Sequence, residues 1–304
     1  LLVLSFVLNR SQILNIIGKF LTPIIIVILL CIIGIGVLGN IEPLRASIFE
    51  NTFTEGVLEG YQTFDAIGGV VVGGVLVISL ALRGTYSYEE KKSIIAWSGL
   101  ISGLGLLLMY GGLIALGAFY SGTLEVENRT ELLSLLSNNT IGSLGAAFLS
   151  VLVTLACFTT AVGIVTGTAD FVQGVLGDSK SAYQITAILG CLIGVIVGQF
   201  DVQYIISIAV PALMFIYPIT IALILLNVLP ETYGSKLVYR GVTTTVLFFS
   251  IPDFLQVFVA EEWVSQLKMF IPFSKYSLGW VFPSIAVFWL INISELFIKK
   301  RVER

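Results

Sequence analysis

The sequence contains no histidine, and only 12% of its 304 residues are charged. The chain therefore lacks the commonest metal ligand of proteins, which is also the side chain best suited to relay protons near neutral pH. The three cysteines, Cys31, Cys157 and Cys191, lie in apolar segments, so neither a disulfide framework nor a metal site is predicted. No basic run is long enough to indicate nucleic-acid binding, and we expect no nucleic-acid partner.

Enzyme motifs are missing as well. The sequence has no H-E-x-x-H zinc motif, no G-x-S-x-G nucleophile turn and no grouping of cysteine with histidine. We therefore predict that the protein is not an enzyme. No feature of the sequence indicates an obligate protein partner.

Long hydrophobic runs dominate what is present. Hydrophobic residues make up 57% of the chain, more than a soluble fold is able to bury, so we predict an all-α polytopic membrane protein in a lipid bilayer. A partial span at Leu1–Leu8 precedes about eight complete ones, and residues 1–304 form a single transmembrane domain. The predicted complete spans are Phe20–Leu38, Gly60–Leu82, Ile94–Tyr120, Ser143–Val172, Tyr183–Gly198, Gln203–Val228, Leu237–Ile251 and Leu278–Phe297.

The basic residues of the loops predict the orientation of these spans. Membrane proteins carry an excess of lysine and arginine in their cytoplasmic loops. With the loop at Arg10–Lys19 inside, twelve of the 16 basic residues fall on the cytoplasmic side, and four fall outside: Arg45, Arg129, Lys268 and Lys275. The C-terminus is then predicted to be cytoplasmic.

The stretch Gly60–Leu80, GYQTFDAIGGVVVGGVLVISL, holds an aspartate and several glycines inside a membrane-length segment. In hydrocarbon, backbone that leaves the helix is tolerated only where protein or a water-filled cavity surrounds it. We therefore predict a helix broken within residues 60–69, with a binding site as the reason for the break.

Two interpretations of this break stay open from the residues alone. In the first, Asp65 caps the second half-helix, and the pair Gly69 and Gly73 lets a neighbouring helix pack closely. In the second, the exposed carbonyls and N–H groups of the two half-helix ends bind a zwitterion or a coupling cation. Ionisable residues at membrane depth are usually functional, which favours the second interpretation, although Asp65 is able to serve both.

A second informative stretch is Ala156–Gly167, ACFTTAVGIVTG. Its residues 156, 159, 160, 163, 164 and 167 share one helical face and read Ala, Thr, Thr, Gly, Ile and Gly. Small residues and threonines on one face are typical of close helix packing, which the residues alone favour. The alternative is a cation site, because hydroxyl and carbonyl oxygens are the ligands that hard cations prefer.

Three runs together resemble a known family: GYQTFDAIGGVVVG, ACFTTAVGIVTGTADF and PALMFIYPITIALILL. They are similar to the bacterial branched-chain amino acid carriers, the leucine, isoleucine and valine cation symporter family. IGKFLTP at Ile17–Pro23 resembles the start of that family's fifth helix, and the likeness covers essentially the whole chain. It implies a LeuT-like inverted-repeat fold, in which this chain would begin in the fourth helix and lack the first three.

The resemblance also implies roles for particular residues. Substrate would be bound at the break by Gln62, Thr63, Phe64, Asp65, Gly68 and Gly69. Ala156, Thr159 and Thr160 match the pattern that supplies a sodium site in the family, which reverses the preference for packing. Phe158 and Ile164 would line the apolar side of the substrate pocket.

The function that this resemblance implies is import of leucine, isoleucine and valine by sodium symport across the bacterial cell membrane. Sodium would be the coupling ion, and no other cofactor is expected. A proton carried by Asp65 is the alternative coupling ion. A channel is less favoured, because it would need a continuous polar-lined pore rather than one broken helix.

Overall fold

The computed structural model describes residues 1–9, 17–39, 50–84, 86–120, 131, 134–135, 137–138, 142–256, 259, 264 and 268–302. Every regular element in these residues is helical, which confirms the all-α prediction. A π-helical turn, Ile17–Leu21, leads into α2, and short 3₁₀ turns lie at Glu231–Tyr233 and Ser274–Tyr276. The helices are α1 Leu2–Leu8, α2 Thr22–Leu38, α3 Thr52–Tyr61, α4 Asp65–Arg83, α5 Tyr88–Tyr120, α6 Ser143–Val175, α7 Lys180–Val197, α8 Val202–Val228, α9 Lys236–Leu255 and α10 Val281–Val302.

Seven helical segments within the described residues are long and apolar enough to cross a membrane, against about eight expected. The segment predicted at 237–251 does form a helix, α9, of 20 residues. It is less apolar than the others because it contains Arg240, three consecutive threonines and Asp253. The seven candidate spans are Ile17–Leu38, Thr52–Ala81, Tyr88–Tyr120, Leu144–Val175, Lys180–Val197, Val202–Val228 and Val281–Ile298.

Two helices begin earlier than the hydrophobic pattern predicts. The predicted spans leave out residues 83–93, but α5 begins at Tyr88 because Ser87 and Glu90 form a capping box. The Ser87 N–H donates to Glu90 Oε2 at 2.7 Å, and the Glu90 N–H donates to Ser87 Oγ at 3.3 Å. The second predicted span starts at Gly60, but α3 already begins at Thr52, after Asn51, whose side chain accepts from the Thr54 N–H at 3.2 Å.

The chain divides into two compact units. The first contains Leu1–Glu50 and Val70–Val195. In it α1 packs on α6 and α7, and the Tyr183 hydroxyl donates to the Val7 carbonyl at 2.8 Å. In the same unit α2 packs against α5 and α6 around the buried side chains of Ile32 and Leu116.

The second unit contains Asn51–Gly69 and Ile196–Arg304. Its core is formed by α8, α9 and the start of α10, with Val238 and Val246 fully buried in it. Ser235 caps α9 by accepting from the Val238 N–H at 3.1 Å, and its hydroxyl donates to the Glu295 carboxylate at 2.7 Å. This bond ties the first turn of α9 to α10.

Candidate functional site

The candidate binding element is an interruption in the second membrane-length segment. Helix α3 ends at Tyr61 and α4 begins at Asp65, which confirms the break predicted within residues 60–69. The chain leaves the helix because Thr63 turns back: its N–H and its hydroxyl both donate to the Gly60 carbonyl, at 3.3 and 2.8 Å. Phe64 then adopts a left-handed conformation with φ of 56°, which is rare for a bulky side chain.

This geometry leaves peptide oxygens available at the break. The Phe64 N–H donates to the Tyr61 carbonyl at 3.4 Å, and the Phe64 carbonyl accepts from the Ile67 N–H at 3.1 Å. No backbone N–H of the described residues donates to the carbonyls of Gln62 and Thr63. Carbonyls at the end of a half-helix carry partial negative charge, so they are suited to bind an ammonium group or a cation.

The residues after the break lie on the exposed side of α4. Asp65 is the first residue of this helix, where a negative charge is favourable, and it is exposed together with Gly68 and Gly69. A Cβ atom added at Gly69 or Gly73 would meet no heavy atom within 4 Å, so the close packing expected of this pair is not seen among the described residues. Space therefore surrounds the backbone here.

The predicted sodium ligands lie in the middle of α6. The Thr159 hydroxyl donates to the Ala156 carbonyl at 3.0 Å, so two of the three expected ligand oxygens already lie side by side. The side chain of Thr160, on the next position, is exposed. Thr159 makes the ordinary bond of a helical threonine to its own backbone, which suits both the packing and the cation-site interpretation.

The other residues expected on α6 have different surroundings. The ring of Phe158 packs edge-to-face on Phe6 of α1, with 5.0 Å between centroids. Ile164 is 52% exposed. Close packing of small residues is seen one turn further on, where a Cβ at Gly167 would lie 2.8 Å from Val71 Cγ1 and 3.2 Å from Val75 Cγ2. The break residues belong to the second unit and these α6 residues to the first.

Nearly the whole length of the chain is similar to one family of proteins. A family model described as "Branched-chain amino acid transport protein" matches residues 1–298. The chain belongs to this family. The chain is 31% identical to the "Branched-chain amino acid transport system 2 carrier protein" of Pseudomonas aeruginosa, over 98% of this chain and 69% of that protein. It is 30% identical to the "Branched-chain amino acid permease BrnQ" of Bacillus subtilis, over 92% of this chain and 64% of that protein.

These relatives also define the class of protein. Their names describe carriers and permeases, which are transporters rather than enzymes. The prediction that the protein is not an enzyme is therefore confirmed. A further relative, the "Branched-chain amino acid permease BrnQ" of Haemophilus influenzae, is 26% identical over 100% of this chain and 70% of its own length. The chain thus spans about two thirds of the length of these relatives. No solved structure matches it.

Three residues near the break or on α6 were not predicted from the sequence to matter for the site. Tyr61 and Tyr217 form an aromatic cluster with Phe64 at the break, although Tyr217 lies in a run that carried no predicted role. Thr166 of α6 is 4% exposed, and its hydroxyl has no hydrogen-bonding partner within the described residues. Burial of Thr166 was not visible in the sequence, where it is one of several threonines on the same helix.

Proposed function

We propose that the protein imports leucine, isoleucine and valine across the bacterial cell membrane by symport with sodium, through alternating access around the break at Gln62–Phe64. Membership in a family of branched-chain amino acid transport proteins supports the substrate class. The LeuT-like inverted-repeat fold belongs to the same proposal. One observation carries the mechanism: a membrane-length helix is interrupted by three residues whose backbone leaves carbonyls available.

The two half-helix ends would divide the recognition of the amino acid between them. The carbonyls of Gln62 and Thr63, at the C-terminal end of α3, would accept hydrogen bonds from the substrate ammonium. The first N–H groups of α4, at its positive end, would bind the substrate carboxylate. The space beside Gly68 and Gly69 supports this assignment, since a Cβ added at either position would meet no heavy atom of the described residues within 4 Å.

Sodium would bind on α6 through the carbonyl of Ala156 and the hydroxyls of Thr159 and Thr160. The 3.0 Å separation of the first two oxygens supports this assignment, because both could contact one ion after a small rotation of the hydroxyl. Moving one sodium ion inward at a membrane potential of 100 mV supplies about 2.3 kcal/mol. This energy, added to the sodium concentration gradient, would drive uptake against a substrate gradient.

Proton symport is the second candidate, with Asp65 as the proton carrier. Its support is the position of an exposed carboxylate at the first residue after the break. The two candidates differ in what an Asp65→Asn variant would do: a proton carrier loses coupled transport altogether, whereas a sodium symporter keeps its sodium dependence.

The test uses the full-length protein purified and reconstituted into lipid vesicles. Uptake of radiolabelled leucine is followed under three conditions: an inward sodium gradient, an inward proton gradient with equal potassium on both sides of the membrane, and no gradient. Sodium symport predicts transient accumulation above the external concentration under the first condition alone. Accumulation driven by the proton gradient alone would overturn sodium coupling, and uptake that only equilibrates and does not saturate would indicate a channel.

A further inference from the structure

A single aromatic ring touches both sides of the break. Tyr217 of α8 is 6% exposed, and its ring lies 4.9 Å from that of Tyr61 and 5.1 Å from that of Phe64, centroid to centroid. The interplanar angles are 70° and 84°, which is the edge-to-face arrangement that aromatic pairs prefer. Tyr61 is the last residue of α3, and Phe64 is the residue before α4. Tyr217 therefore clamps the break from one side.

The two contacts of this clamp are not equivalent. On the α3 side the Tyr61 hydroxyl also accepts a hydrogen bond from Trp280 Nε1 at 3.3 Å. Trp280 is 6% exposed and belongs to the buried cluster that α8, α9 and α10 form. Tyr61 is thus anchored to the core of the unit by two independent contacts. Phe64 has its aromatic contact with Tyr217 alone among the ring pairs of the described residues.

Phe64 needs that contact because its backbone is strained. An L-residue with a side chain pays a steric cost in the left-handed region, and only glycine visits it freely. The cost is of the same order as the gain from one edge-to-face aromatic pair. The ring of Tyr217 therefore offsets the strain at φ of 56°, and without the ring a helical or extended conformation of Phe64 becomes competitive.

Other residues at the break are more exposed than the two that contact Tyr217. The side chains of Gln62, Thr63 and Asp65 are exposed, while Tyr61 and Phe64 are partly buried towards Tyr217. Gln62 and Thr63, whose carbonyls accept no backbone hydrogen bond from the described residues, are thus not buried by the clamp. A change in the conformation of Phe64 would redirect these carbonyls, since Phe64 is the next residue in the chain.

We propose that Tyr217 is a positioning residue that holds Gln62, Thr63 and Phe64 in the conformation that recognises the substrate backbone. It acts through Phe64 and does not itself contact the substrate. This inference rests on the proposed function for its transport readout, but its structural part does not. It predicts that Tyr217 controls apparent substrate affinity through its ring and not through its hydroxyl.

The test compares Tyr217→Leu with Tyr217→Phe in the full-length protein. The matched control is Phe215→Leu, on the same helix, where Phe215 pairs with Phe254 of α9 at 5.4 Å, outside the aromatic cluster at the break. Initial rates of leucine uptake at saturating sodium give the KM and the maximal rate, corrected for expression. A second readout needs no transport: the rate at which a maleimide labels Gln62→Cys, at an exposed position, after Cys31, Cys157 and Cys191 are replaced by alanine.

We expect Tyr217→Leu to raise the KM about tenfold, from the loss of two ring pairs, with a much smaller effect on the maximal rate. It should also change the labelling rate of the Gln62→Cys reporter. Tyr217→Phe keeps both ring pairs and should restore the parental KM and labelling rate. Phe215→Leu should lower thermal stability without changing either readout.

The inference is overturned if Tyr217→Leu keeps the parental KM and labelling rate, or if Phe215→Leu changes both equally. It is also overturned if Tyr217→Phe behaves like the leucine variant. If Tyr217→Leu does not fold, Phe64→Ala and Phe64→Gly test the inference instead. Both variants lose the ring pair with Tyr217, but only glycine adopts positive φ freely. Phe64→Ala should therefore change the labelling rate more than Phe64→Gly does. Equal labelling of these two contradicts the inference. A parent without leucine uptake refutes the proposed function alone, since the labelling comparison still tests the clamp.

Discussion

Replacing Lys268 by methionine should destabilise the protein strongly. Lys268 Nζ lies 2.7 Å from Asp253 Oδ1, and the side chains of these residues are 14% and 3% exposed. Removing the lysine leaves a buried carboxylate without its counter-charge, which costs about 3–5 kcal/mol. The melting midpoint of Lys268→Met should therefore lie clearly below that of the parent.

The assay is thermal unfolding of the protein in detergent, followed by fluorescence-detected gel filtration. Lys236→Met is the matched control, because Lys236 is exposed at the first turn of α9 in the same unit, and it should melt like the parent. The double variant Asp253→Leu/Lys268→Met removes both charges and should recover most of the lost stability. A single variant Lys268→Met that melts with the parent would refute the argument that the pair is buried and coupled.

Three further predictions concern the break, the ion and the packing of helices. Asp65→Asn should reduce leucine uptake far more than expression, since asparagine caps the start of a helix about as well as aspartate. The control Asp201→Asn keeps the cap of α8 on the Gln203 N–H and should leave uptake unchanged. Normal uptake by Asp65→Asn would show that the charge of Asp65 is dispensable. Thr160→Ala should raise the sodium concentration for half-maximal uptake roughly 5- to 150-fold, and the apparent affinity for leucine should recover as sodium rises. The control Thr168→Ala should leave the sodium dependence unchanged. A sodium dependence of Thr160→Ala equal to the parent's would refute the assignment. Gly112→Val should lower the free energy of unfolding by about 1–3 kcal/mol, because a Cβ at Gly112 would lie 2.7 Å from Ile33 Cγ2. The control Gly111→Val should melt like the parent, because a Cβ there would meet no heavy atom of the described residues within 4 Å. Equal melting of the two variants would contradict this packing.

The location of the break could be predicted from sequence because its cause is local. Asp65 and the glycines after it are poor residues for the middle of an apolar helix, and the structure interrupts the helix directly before Asp65. The start of α5 was misplaced for an equally local reason. The charged residues before Ile94 suggested a loop, yet Ser87 and Glu90 satisfy each other's backbone N–H groups and allow the helix to begin there.

The clamp at the break could not be predicted in the same way. Tyr217 is one aromatic residue in an apolar run, and nothing in its neighbours along the chain distinguishes it from a lipid-facing tyrosine. Its role depends on the approach of α8 to Tyr61 and Phe64, a contact between distant parts of the sequence. The polar character of α9 was visible in the sequence, but the burial of Asp253 beside Lys268 was not.

The central claim, coupling of sodium to a branched-chain amino acid, is tested most directly by the reverse experiment. Vesicles containing the full-length protein are given radioactive sodium at equal concentration on both sides, and a leucine gradient is then imposed inward. Symport predicts that an inward gradient of leucine, isoleucine or valine drives net sodium entry. It also predicts that Thr160→Ala reduces this sodium entry at low sodium concentration. Leucine entry without any movement of sodium would contradict the account.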